Sequence, residues 1–401
     1  MVTASHNPEC DNGVKIVDAD GGMMAQSWEP YAEELVNTRD ADDIISIIKR
    51  ISTTEGVMDG TPCSVVVGRD TRPHSNELVQ CIITGANAFG AIVHDMGLVT
   101  TPQLHFIVQK ANENSSTFPI LDLGRVAAIA NYHDTLGSGY ISLLESIPIG
   151  QSVISEFIVV DGSYGIGAIS VINQSMALNK IMPDILHVDL RNNAFDGSVN
   201  DGCGAEYVQK KQSPPIGINH EKDVGKILCS FDGDADRIVF HSYLTRNNKW
   251  TLLDGDKIAA LFSLFISKEF KESYLDKEFK IGVVQTAYAN GASTIYLQNN
   301  NIPYIMAKTG VKYLHHKAQE YDLGIYFEAN GHGTVLFSEK LLKKLQSWEN
   351  LSEGAENDRI NLAMKRLNVS HLNSSQIFEK FLILIIDILN LIIIIVLNIF
   401  L

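Results

Sequence analysis

Short apolar runs, each ended by a polar loop, recur along this chain with helix-length segments between them. Cys63–Gly68, Ala91–Asp95, Phe157–Asp161, Lys226–Phe231, Ile281–Thr286 and Gly324–Phe327 read as strands. Helical stretches are expected over Trp28–Ile51, from about Ser75 to Phe89, over roughly Tyr140–Ile147, over Asp256–Phe270 and from about Ser293. Gly13–Val17 reads as a further short strand, and Asp20-Gly21-Gly22 as a turn. Strand, helix, strand at this spacing implies βαβ units, so an α/β fold of successive mixed sheets is expected. In such sheets ligands sit at the carboxyl ends of the strands, in the loops that end them.

At 401 residues the chain is too long for one core. Expected units are 1–115, carrying a serine loop, and 116–245, ending in an acidic loop. Next come 246–345, with a polar loop, and 346–401, a linker and hydrophobic tail. The segment 111–120 looks like the first boundary. A net charge of -15 argues against a nucleic-acid binder, which needs a basic face. Cys10, Cys63, Cys81, Cys203 and Cys229 are scattered and odd in number, without a CxxC pair. That pattern suggests reduced thiols in a cytoplasmic protein, not a disulfide frame or a zinc site.

Two loops carry the chemistry. Asp232, Asp234 and Asp236 alternate, so a tight loop turns all three carboxylates inward. Carboxylates that close repel one another unless a cation sits between them. Oxygen-only ligands point to Mg²⁺ rather than zinc. An EF-hand is rejected, because Arg237 and Tyr243 stand where it requires Gly and Glu. A solvated acidic turn is the bland alternative.

Thr3-Ala4-Ser5-His6-Asn7-Pro8 offers a hydroxyl on a stiff turn, with an imidazole beside it for proton transfer. A serine alone is ordinarily a surface hydroxyl; its neighbours are what single Ser5 out. A nucleophile plus a hard-cation site is equipment for moving a phosphoryl group.

Three further segments have two readings each. Glu328, Asn330 and His332 alternate on one side of an extended segment, a pattern suited to a polyol or to a plain polar hairpin tip. Lys308 and Lys312 flank Gly310 and can hold phosphate, or are surface lysines. Gly162–Ala168, at a strand-to-helix turn, either cradles phosphate or simply permits a tight turn and close packing.

Thr-Ala-Ser-His-Asn-Pro, Asp-Gly-Asp-Ala-Asp-Arg and Glu-Ala-Asn-Gly-His-Gly, in this order, resemble the α-D-phosphohexomutase superfamily. Asp11–Lys15, Asn330, Asn200–Val208 and Lys308–Lys317 are similar to its phosphoacetylglucosamine mutase branch. The resemblance covers roughly residues 1 to 373. It implies a multi-domain α/β fold with the active site in a central cleft. It further implies Ser5 as phosphoserine and Mg²⁺ on Asp232, Asp234, Asp236 and a phosphate oxygen of Ser5. Arg237 and nearby lysines would stabilise the transition state, and Glu328, Asn330 and His332 would hold sugar hydroxyls. The implied reaction interconverts N-acetylglucosamine 6-phosphate and 1-phosphate through a bisphosphate, on the route to the activated nucleotide sugar.

Two departures stand out. Only Met1 and Val2 precede the serine loop, so the loop is expected either to be tethered from one side or to lack an upstream strand. A phosphate-binding Arg-x-Ser-Gly-Thr-Glu loop is missing, and after about Asn373 an Ile-rich stretch follows instead. That tail has the ~20 residues needed to cross a bilayer. Asp387, Asn390 and Asn398 interrupt it, however; a buried helix, which has to be apolar all round, is a second reading, and the preferred expectation is translated non-coding or misassembled sequence, with no membrane contact unless the tail is genuine. The competing expectation for the chain is a catalytically inactive sugar-phosphate- or metal-binding fragment, possibly tail-anchored.

Overall fold

The computed structural model describes residues 1–57, 63–113, 120–144, 156–245, 247–348 and 360–367. The tail 374–401 and most of the 111–120 boundary lie outside the described residues.

Eleven strands among the described residues form three sheets. β1 (Ser64–Arg69) and β2 (Ile92–Leu98) pair in parallel. β3 (Glu156–Asp161), β4 (Leu186–Arg191), β5 (Ile227–Phe231), β6 (Ile238–Tyr243) and β7 (Trp250–Leu253) make a mixed sheet in the order β4-β3-β5-β6-β7. Here β4, β3 and β5 are parallel, while β6 and β7 return antiparallel. β8 (Ile281–Thr286), β9 (Tyr304–Ala307), β10 (Leu323–Phe327) and β11 (Gly333–Phe337) make the third, in the order β11-β10-β8-β9. The mixed α/β class read from the sequence is what the chain adopts.

The helices start where the sequence supplies caps. Asp40 accepts the N–H groups of Asp42 and Asp43, which opens the helix Ala41–Glu55. That cap also splits the expected Trp28–Ile51 helix, whose first part is Glu29–Asn37. Thr100 and Gln103 form a capping box before Thr101–Asn112. Asp254 caps Gly255–Glu272, and Asn290 caps Gly291–Asn299.

Several expectations need correcting. Gly13–Val17 is not a strand: Val14 and Val17 make only isolated bridges, and Lys15 is drawn instead toward the acidic loop. The helix expected near Tyr140–Ile147 begins far earlier, spanning Gly124–Leu144. Ala128, Tyr132, Leu136 and Tyr140, one helical turn apart, are all buried along it. The second sheet runs on through β7 to Leu253, past the break expected at 245. Within the 346–401 stretch expected as linker and tail, 360–367 is helical, and Met364 and Leu367 join the main core. Arg366 of that segment pairs with buried Glu269 at 3.1 Å.

The serine loop is tethered on both flanks. Val2, fully buried, bridges Arg69 on one side and Val14 on the other. No described helix is long and apolar enough to cross a membrane.

Candidate phosphoryl-transfer site

β5 delivers Asp232 to Asp236, and β6 carries the chain away. All three carboxylates are buried, and one oxygen from each lies within 4.8 Å of the others. Each carboxylate has one oxygen engaged. Asp232 Oδ1 accepts the N–H groups of Asp236 and Arg237 at 3.1 and 3.2 Å. Asp234 Oδ2 accepts the Thr101 hydroxyl and the Lys15 ammonium. Asp236 Oδ2 pairs with Lys15 as well. The second oxygen of each (Asp232 Oδ2, Asp234 Oδ1 and Asp236 Oδ1) is buried with no hydrogen-bond partner. Three carboxylate oxygens without a hydrogen-bond partner in one buried cluster match the donor chemistry that a hard divalent cation takes.

The surrounding charges divide the triad. Burial first, then the charges of Asp236 and Asp234, push Asp232 well above the usual carboxylate range. Burial works the same way on Asp236, but Lys15, His332 and Arg237 outweigh it and hold that carboxyl well below. Burial disfavours the Lys15 ammonium, yet Asp234, Asp236 and Asp232 raise it above an ordinary lysine. The carboxylates of the triad thus favour the charged form of Lys15.

Ser5 reaches this cluster from the other end of the sequence. Its Oγ lies 3.4 Å from Asp234 Oδ2. Its backbone sits in the left-handed region at φ 44, and its N–H donates to Thr3 Oγ1. The loop is held by a buried network that sequence reading passed over. Thr3 donates to Asp70, which is paired with Arg72, and Arg72 donates to the Asn7 carbonyl. Asn200 donates to the carbonyls of both Ser5 and Asn7 at 2.9 and 3.0 Å. Gly233 N–H donates to the Ser5 carbonyl, and a Cβ at Gly233 would stand 2.7 Å from that oxygen.

The His6 ring is held by Glu206. Its Nε2 lies 3.0 Å from Glu206, and its Nδ1 is buried without a partner. Burial, then Arg237, pushes the imidazole down. Glu206 also accepts from Arg237 at 2.7 Å and pairs with Lys210. Burial opposes the Glu206 charge, but Lys210, His6 and Arg237 hold its carboxyl below the usual range. The Arg237 Nε is 3.5 Å from Asp232 and 3.8 Å from Asp236. His6 and Arg237 thus meet through Glu206, a residue of the Asn200–Val208 segment to which sequence reading assigned no role.

The segment Glu328–His332 lies against the acidic loop. Ile238 N–H donates to the Gly331 carbonyl, and His332 Nδ1 is 3.6 Å from Asp236. A tight turn closes the segment: Glu328 N–H donates to the His332 carbonyl, and Asn330 Oδ1 accepts His332 N–H. Gly331, at φ 90, could not carry a side chain there, since its Cβ would fall 2.0 Å from the Ile238 carbonyl. Lys308 and Lys312 are not at the triad. Lys312 pairs with Glu29, and Lys308 lies 5.8 Å from the Tyr313 ring. Their loop does touch the polar segment, through Gly310 N–H to Glu328 at 3.3 Å. The glycines of Gly162–Ala168 serve close packing. A Cβ at Gly165 would meet the Gly233 carbonyl at 2.4 Å, and Ile166 N–H donates to that same oxygen.

Known proteins give the arrangement its context. Residues 1–43 and 44–118 match the family model for phosphoglucomutase/phosphomannomutase, alpha/beta/alpha domain I. Residues 254–379 match that for phosphoacetylglucosamine mutase AMG1, domain III. Phosphoacetylglucosamine mutases of Oryza sativa and Homo sapiens are 40% and 43% identical over 93% and 88% of this chain. The chain spans only 66% and 62% of their length. A solved structure of the Aspergillus fumigatus N-acetylphosphoglucosamine mutase, in complex with GlcNAc-6P and magnesium, has a TM-score of 0.84 and 33% identity. It is matched over 97% of this chain and 70% of that one. A second, an apo-form N-acetylglucosamine-phosphate mutase, gives 0.84 and 33%, over 98% of this chain and 82% of that one. The sheets, the serine and acidic loops and these likenesses agree: the chain belongs to the phosphoacetylglucosamine mutases of the α-D-phosphohexomutase superfamily.

Proposed function

We propose that this chain carries the phosphoryl-transfer centre of a phosphoacetylglucosamine mutase, interconverting N-acetylglucosamine 6-phosphate and 1-phosphate. The observation that carries the reading is Ser5 Oγ, 3.4 Å from Asp234, beside three carboxylates that each keep one unpartnered oxygen.

Ser5 is the residue that holds the phosphoryl group between its two transfers. Its buried, hydrogen-bonded loop fixes the direction in which that group points. Asp232, Asp234 and Asp236 would hold Mg²⁺, together with an oxygen of the phosphorylated Ser5. When bound, the ion neutralises charge on the phosphoryl oxygens. Lys15 and Arg237 bring positive charge to the same place, and they stabilise the charge that spreads over the transferring group. Arg237 is oriented by Glu206, which also takes up the imidazole of His6.

Glu328, Asn330 and His332 present acceptors and donors beside the triad and hold the sugar hydroxyls. Two orientations of the sugar must be accepted, so a few hydroxyl-binding groups suit the task better than a deep asymmetric pocket. Lys308 and Lys312, on the loop that touches Glu328, take the distal phosphate. In that role Lys312 leaves Glu29 for the substrate.

The polypeptide organisation that supports this is one α/β unit to about residue 115, a second through Leu253, and a third from 254 onward. Five free cysteines and the acidic charge are in keeping with a cytoplasmic enzyme of small sugar phosphates.

The test is direct. The chain is supplied with N-acetylglucosamine 6-phosphate, Mg²⁺ and a trace of the 1,6-bisphosphate, and phosphorus NMR follows the 1-phosphate. Turnover that Ser5→Ala abolishes supports the reading. Turnover that survives Ser5→Ala would remove Ser5 from the mechanism.

A further inference from the structure

Asp234 has the most crowded carboxylate of the triad. Its Oδ2 accepts the Thr101 hydroxyl at 2.5 Å and the Lys15 ammonium at 2.5 Å, and lies 3.4 Å from Ser5 Oγ. Its Oδ1 is buried and has no hydrogen-bond partner. Thr101 takes a second hold on the same residue, because its backbone N–H donates to the Asp234 carbonyl at 3.1 Å. One residue therefore grips Asp234 by both main chain and carboxylate. Lys15 cannot make that choice of oxygen alone, since its ammonium is shared with Asp236.

The grip is anchored in turn. Thr101 is 3% exposed and is the first residue of the helix Thr101–Asn112, whose leading N–H groups have no partner within the helix. The capping box of Thr100 and Gln103 fixes that helix start. The Gln103 amide nitrogen lies 3.1 Å from His133 Nε2 and donates to Ser170 at 3.2 Å. A buried polar chain thus runs from the helices Gly124–Leu144 and Gly167–Ile181 to the acidic loop.

We propose that Thr101 is a positioning residue of the metal centre. By occupying Asp234 Oδ2, it leaves Oδ1 as the atom presented to the cation. Groups that orient a ligating side chain typically change metal affinity by about 10–100-fold when removed. The inference rests on the reading of the triad as a divalent-cation site.

The experiment is a Mn²⁺ titration of the full chain without sugar, with free Mn²⁺ followed by electron paramagnetic resonance. Wild type, Thr101→Val and Thr101→Ser are compared, and each is also unfolded thermally. Thr101→Val keeps the shape and loses the donor, and about 10–100-fold weaker Mn²⁺ binding is expected. Thr101→Ser restores the donor and should bind close to wild type. If Thr101→Val does not fold, Thr101→Ala replaces it with the same expectation. A lower unfolding midpoint with unchanged Mn²⁺ affinity marks a purely structural role and overturns the inference. So does a folded Thr101→Ser that binds as poorly as the valine variant. A wild-type chain that binds no Mn²⁺ overturns the metal reading itself, a result distinct from either of these.

Discussion

Ser5 Oγ and Asp234 Oδ2 stand 3.4 Å apart although 229 residues separate them in the chain. The Gly233 N–H to Ser5 carbonyl bond and the two bonds from Asn200 close the same interface. The serine loop and the acidic loop are therefore joined by hydrogen bonds from both main chain and side chain. Replacing Asp234 by Asn should weaken divalent-cation binding by more than about 100-fold, beyond the cost of losing an orienting neighbour. Turnover should fall with it. Metal titration of Asp234→Asn at wild-type affinity would contradict the assignment.

The Asp70–Arg72 pair lies fully buried beneath the serine loop. Asp70 also accepts from Thr3 and Ser75, and Arg72 from its side holds the Asn7 carbonyl. Arg72→Leu leaves a buried carboxylate without its counter-charge, at a cost of about 3–5 kcal/mol. A loss of unfolding free energy of that size is expected from urea titration, and a loss under about 0.5 kcal/mol, typical of a surface change, would show the pair to be dispensable.

Glu206 joins His6 to Arg237. Glu206→Gln removes the charge that holds the guanidinium and should lower kcat roughly tenfold to a hundredfold, with a smaller change in KM. Glu206→Asp should recover part of the loss. An unchanged kcat in Glu206→Gln would show that Arg237 needs no orienting partner.

His105 and His241 tie stability to pH. Burial pushes His105 down to about 4, although its Nδ1–H donates to the Gly21 carbonyl. Burial likewise pushes His241, set between Ser230 and Trp250, down to about 3. Below about pH 6.5 the unfolded chain binds protons at these positions and the folded chain does not. Stability is therefore lost as pH falls from 6.5 toward 4, by roughly 2 kcal/mol per histidine at pH 5. The difference in unfolding free energy between pH 7.5 and pH 5 should shrink by about that amount in His105→Gln. An equal difference in the variant and wild type would refute the linkage.

Gly331→Ala should disturb the Glu328–His332 segment first. The left-handed backbone and the Ile238 carbonyl leave no room for a methyl group. Strain of about 1–3 kcal/mol and a raised KM for the sugar phosphate are expected. A normal KM would mean that the segment does not read the sugar.

Much of this was legible because local pattern and local structure agree. The apolar runs ending at Asp161, Phe231 and Phe327 became β3, β5 and β10, and the alternating aspartates face inward as their spacing requires. β4 was missed although Leu186, Val188 and Leu190 alternate with polar residues. The first part of the helix Gly124–Leu144 was missed because Gly137 and Gly139 obscure a series of buried residues four apart. The site partners are a different matter. Lys15, Thr101 and Glu206 gain meaning only from neighbours 219, 133 and 31 residues away. No window of sequence contains both halves of such a contact. The contact of His6 with Glu206 was hidden for the same reason, because the two residues lie 200 positions apart in the chain.

The central claim is that Ser5 carries the phosphoryl group, and one half-reaction tests it without full turnover. The chain is incubated with a hexose 1,6-bisphosphate and Mg²⁺, then digested, and its peptides are weighed by mass spectrometry. The account predicts one added phosphoryl group on the peptide containing Ser5, absent in Ser5→Ala and absent when chelator removes the metal. A phosphoryl group found on another residue, or retained in Ser5→Ala, would contradict it.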